Sequence, residues 1–127
     1  MLYLIVFLGA GIGGALRHGV NVAAARFFGY GFPLGTFIVN VSGSLAMGLL
    51  AGYFAYRTGI SQHMKLFLTT GVLGGFTTFS AFSLDSALLI ERGQYGQGAA
   101  YVVASVAASI AAVFLGLALF RTSGHLP

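Results

Sequence analysis

The sequence predicts an all-α membrane protein with four transmembrane helices, the third of them broken at mid-membrane. Three observations lead there. Apolar residues make up 57% of the chain and charged residues only 6%, where a soluble domain carries about 25% charged. Four apolar stretches each reach the roughly 20 residues that cross a bilayer as a helix. None shows the period-two alternation of a barrel strand. The same composition excludes disorder, because disordered chains are charged and poor in apolar residues. Within 127 residues the spans fall at about 2–28, 35–56, 64–90 and 98–120, a single transmembrane domain over 1–127.

The first span carries Arg17 and His18 late in its run. The N-terminus lacks the basic region of a signal peptide, so this span is expected to be retained. Pro33 and the glycines beside it break the chain before the second span. That span holds a polar stripe at helical spacing, Thr36, Asn40 and Ser44. The third contains TTGVLGGFTTFSAFS at 69–83, and the fourth a weaker stripe of Ser105 and Ser109. Small residues recur at four-residue spacing: Gly9 with Gly13, Gly48 with Gly52, Gly71 with Gly75, then Ala104, Ala108 and Ala112. Such positions let helices approach closely and gain dispersion contacts that lipid does not match.

Several classes are excluded. With no cysteine there is no disulfide framework, thiolate metal site or cysteine nucleophile. The six basic residues are scattered singly, which gives nucleic acid no patch to bind. No carboxylate pair, histidine cluster, P-loop or nucleophile elbow occurs, so no enzyme is expected. With the N-terminus inside, Arg57, Lys65 and Arg121 lie inside and Arg17, Arg26 and Arg92 outside or on the way. The positive-inside rule then gives almost no direction. Either one weak residue sets a single orientation, or the chain inserts both ways and pairs as an antiparallel homodimer.

The chemistry concentrates in 69–83. Gly74 and Gly75 loosen the backbone and two β-branched residues follow, so a break is expected here. A break in a membrane helix is tolerated where it is buried in protein or lines a cavity, and its freed carbonyls are ready ligands for a monovalent cation. Phe79 and Phe82 share one helix face, Ser80 and Ser83 the neighbouring one. Ring edges are positive and attract anions; hydroxyls donate to them. Asn40 either joins an anion path or bonds another helix. Arg17 either snorkels to an interface or keeps an anion vestibule positive. The only acids, Asp85 and Glu91, come late in the third span.

The segments GTFIVNVSGS at 35–44, TTGVLGGFTTFSAFS at 69–83 and GGALR at 13–17 resemble the signature of the Fluc fluoride channels, also called CrcB proteins. The resemblance runs the length of the chain. It implies a passive, fluoride-selective channel in the bacterial inner (plasma) membrane that lowers cytoplasmic fluoride. It also implies an antiparallel, dual-topology homodimer with a structural sodium ion. On this resemblance Asn40, Phe79, Phe82, Ser80, Ser83 and Thr36 belong to the fluoride pathway, and Arg17 to the vestibule. The carbonyls of Gly74 and Thr77 would hold sodium. One departure is Ala81, where the family pattern has a hydroxyl. Two other classes compete. A small proton-coupled exporter needs an acid in the first helix, and this chain has none there. A purely structural subunit needs no convergence of the polar residues.

Overall fold

A computed structural model describes residues 1–122, and it is all helical. Helix α1 spans Leu2–Phe28 and α2 Leu34–Tyr56. The third span, Gln62–Glu91, is composite. It starts as α3 (Gln62–Leu66), widens into a π-helical segment (Phe67–Leu73), returns to one α-turn, α4 (Gly74–Phe76), and continues as α5 (Phe79–Glu91). Helix α6 runs Tyr95–Thr122. All four spans are long and apolar enough to cross a membrane.

Short loops join them. Gly29 (φ 78°) and Gly93 (φ 79°) follow α1 and α5 in the left-handed region, where a side chain would be strained. Ser61 caps the third span, its hydroxyl accepting from the Met64 amide.

Packing follows the glycines. Helix α1 lies along the π-helical segment and α4, while α2 lies along α6. A Cβ on Gly9 would stand 2.7 Å from the Phe67 carbonyl oxygen and 2.9 Å from the Gly71 Cα. A Cβ on Gly13 would stand 2.8 Å from the Phe76 amide nitrogen. The two expected pairs therefore face one another across one helix contact. Gly48 meets the Val113 backbone, and Gly116 meets Leu49, where a Cβ would sit 2.6 Å from the amide nitrogen.

A small cluster of Phe82, Leu89 and Tyr101, flanked by Phe32, Phe37 and Val102, holds α5 to α2 and α6. Outside it many apolar side chains are exposed, including Phe7, Phe79 and Phe114. A bilayer accommodates this distribution; water would not.

Candidate functional site: a bend between two helices and the groove beside it

The third span bends at Thr77–Thr78. Thr77 (φ −84°, ψ 158°) and Thr78 (φ −153°, ψ 119°) are extended, whereas Gly74 is helical (φ −61°, ψ −37°). Within the stretch Gly74–Thr78 where a break is expected, the structure shows a bend at the two threonines, and Gly74 stays helical. Gly75 is instead a packing residue: a Cβ there would lie 2.8 Å from the Ala10 Cα.

Asn40 explains the position of the bend. Its Nδ2 donates to the Thr78 carbonyl at 3.0 Å, and its Oδ1 accepts from the Thr78 amide at 2.8 Å. A primary amide pairs in this way with one peptide unit, satisfying both of its polar groups. In a continuous helix the Thr78 amide would bond the Gly74 carbonyl. Given to Asn40, it leaves that carbonyl without its helical donor. The Ala81 amide likewise donates to the Thr78 hydroxyl at 3.1 Å instead of to the Thr77 carbonyl. Between these two, the Gly75 carbonyl accepts from Arg17 Nε at 3.1 Å. The carbonyls of Gly74 and Thr77, the two that the sequence resemblance assigns to a cation, are among those that the bend deprives of their helical donors. Hard oxygen donors of this kind suit an alkali cation.

Beside the bend, α2, α5 and α6 enclose an open groove of about 390 Å³. Asn40, Ser44, Phe79, Phe82, Ser105 and Ser109 line it, and no acidic residue does. The Ser105 hydroxyl is buried with no hydrogen-bond partner among the described residues. The Phe79 and Phe82 rings are 5.5 Å apart and tilted by 50°. They differ in setting: Phe82 is 8% exposed and stacks near Tyr101, Phe79 is 78% exposed.

Not every nominated residue meets here. Ser80 and Ser83 are exposed and do not line the groove. The Ser80 hydroxyl lies 3.3 Å from that of Thr78, and Ser83 donates to the Phe79 carbonyl at 3.0 Å. Thr36 is buried against a second cavity of about 350 Å³, which Asn21, Ala81, Asp85 and Arg92 also line. Arg17 is half-buried and tied to the bend from the α1 side.

Sequence reasoning missed one polar pair. The fully buried Tyr101 donates its hydroxyl to Asp85 Oδ2 at 3.1 Å, joining α5 to α6 near the second cavity. The signal was present, since a phenol inside an apolar run must find a partner.

Four apolar spans, a bend pinned by an amide and a donor-lined, acid-free groove define a multi-pass membrane protein of the channel-like kind, with irregular backbone placed where protein can line a cavity. The family model described as "CrcB-like protein, Camphor Resistance (CrcB)" matches residues 4–117. A protein of Rhodopseudomonas palustris (strain BisB5), named fluoride-specific ion channel FluC, is 61% identical over 121 residues, covering 95% of this chain and 98% of that one. Proteins of the same name from Methylobacterium sp. (strain 4-46) and Methylobacterium nodulans are each 63% identical over 121 residues, at 95% and 97% coverage. This chain belongs to the CrcB family.

Proposed function

We propose that this chain is a passive, fluoride-selective channel that exports fluoride across the inner (plasma) membrane and works as an antiparallel, dual-topology homodimer. The observation that carries the reading is the groove: hydrogen-bond donors and ring edges converge there without one carboxylate. The buried Ser105 hydroxyl lacks an acceptor, and leaving a buried donor unmet costs about 1–3 kcal/mol. A small anion meets that need. Asn40 spends one N–H on Thr78 and keeps a second. Ser109 adds a hydroxyl, and Phe79 and Phe82 add ring edges. Fluoride is small and strongly hydrated, so a path for it must replace water with close donors.

Thr36, with Tyr101 and Asp85, belongs to the approach on the second cavity's side, and Ser80 and Ser83 to a polar track along the exposed face of α5. Arg17 keeps positive charge near the bend while it holds the Gly75 carbonyl. The carbonyls of Gly74 and Thr77 would hold a structural sodium ion, whose charge would offset their negative ends and draw anions toward the bend. A second copy would cover the groove and the exposed Phe79 ring; the balanced distribution of basic residues favours insertion in both orientations.

The test is efflux from phosphatidylcholine liposomes carrying purified protein, read with a fluoride electrode and a parallel chloride measurement, with no proton or sodium gradient. The expected outcome is rapid fluoride loss with chloride retained. Absence of fluoride efflux from verified dimers removes the reading.

A further inference from the structure

One end of the molecule carries positive charge that no acidic side chain among the described residues neutralises. At the α2–α3 turn, the Arg57 guanidinium carbon stands 5.4 Å from the centre of the Tyr53 ring. The Lys65 ammonium stands 5.7 Å from the centre of the Phe54 ring. These two rings are neighbours, 6.0 Å apart, and Tyr53 also packs against Phe120 of α6 at 5.6 Å. An aromatic platform joining two spans thus holds two cations side by side at the end of the bundle. The only Asp and Glu of the chain, Asp85 and Glu91, lie in the far half of the third span. Asp85 is roughly 30 Å along the helix from Lys65.

Among the described residues no acidic side chain supplies a counter-charge for this pair. Arg57 follows the last residue of the second span and Lys65 lies in the first turn of the third, positions at which spanning helices meet lipid headgroups. Rings beneath the cations fix them at low entropic cost and leave their outer N–H groups free for phosphate oxygens. We infer that Arg57 and Lys65, seated on Tyr53 and Phe54, form a binding site for the headgroup phosphate of an anionic glycerophospholipid. The site lies outside the groove and is independent of what the groove conducts.

Thermal unfolding of the full-length protein in a neutral detergent tests it, with phosphatidylglycerol, phosphatidylcholine or inorganic phosphate added. Each interfacial cation contributes about a fivefold preference for anionic lipid. Phosphatidylglycerol should therefore raise the midpoint at a concentration at least tenfold below that needed for phosphatidylcholine. The Arg57→Gln/Lys65→Gln double variant should lose that preference to within about threefold and keep its lipid-free midpoint. If the double variant does not fold, the wild type in rising potassium chloride decides: the phosphatidylglycerol effect should fade and the phosphatidylcholine effect persist. An unchanged preference in the variant, or a salt-insensitive one, overturns the site. Equal stabilisation by inorganic phosphate at the same concentration overturns the lipid as its ligand.

Discussion

Replacing Asn40 with Leu removes an amide of similar size and leaves the Thr78 peptide unit unmet. Two hydrogen bonds disappear, at 2.8 and 3.0 Å. Each half-buried group left without its partner costs about 1–2 kcal/mol, so the loss is about 2–4 kcal/mol per protomer. The Thr78 amide has one escape. It can turn to the Gly74 carbonyl, its acceptor in a regular helix. That move requires Thr77 and Thr78 to leave ψ of 158° and 119° for about −42°. The span would straighten, the Gly74 carbonyl would be consumed, and the groove would lose its wall at Thr78. The expected outcome for Asn40→Leu is a lowered unfolding midpoint in detergent and fluoride efflux reduced at least a hundredfold in the surviving dimers. Efflux within twofold of wild type at an unchanged midpoint would show that Asn40 neither pins the bend nor serves the path.

Four further outcomes are expected. Phe82→Ile keeps the volume but removes the ring, so folded protein should lose most of its fluoride efflux while circular dichroism stays unchanged. Asn40→Asp sets a carboxylate oxygen against the Thr78 carbonyl in place of a donor, so efflux at neutral pH should stop even where the dimer still elutes intact from a sizing column. Arg17→Gln withdraws a charged donor from the Gly75 carbonyl; the cost should be about 1.5–3 kcal/mol, read as a lower denaturant midpoint. Gly75→Ala would press a methyl into the Ala10 backbone and force α1 away from the third span; a loss of about 1–3 kcal/mol is expected from equilibrium unfolding.

The four apolar spans were legible because each is a long run that needs no partner to be recognised. The glycine pairs were legible as close-packing positions, but which faced which was not: only the fold brings Gly9 to Gly71 and Gly48 to Val113. Gly116 continues the Ala104, Ala108 and Ala112 series at the same spacing, and the fold shows it packed against Leu49. The irregularity in 69–83 was legible from local propensity, and its placement was not. Propensity points to Gly74 and Gly75 together with Thr77 and Thr78, yet a glycine packed against another helix, as Gly75 is, can remain helical. The bend falls at Thr78 because a side chain 38 residues earlier takes its amide and carbonyl. The π-helical segment at Phe67–Leu73 packs mainly against α1, and nothing in its own residues pointed to a wider helix. For Arg17 the two sequence alternatives were an interface or a vestibule, and its bond to the Gly75 carbonyl needed the third span in place beside α1.

Whether fluoride moves alone through the groove can be read electrically. In a planar bilayer with symmetric chloride, sodium and pH, a tenfold fluoride gradient should set a reversal potential of about 59 mV, with the sign of an anion. It should stay there when a sodium or proton gradient is added. A potential near zero, or one that follows chloride, sodium or pH, would contradict a passive fluoride-selective path.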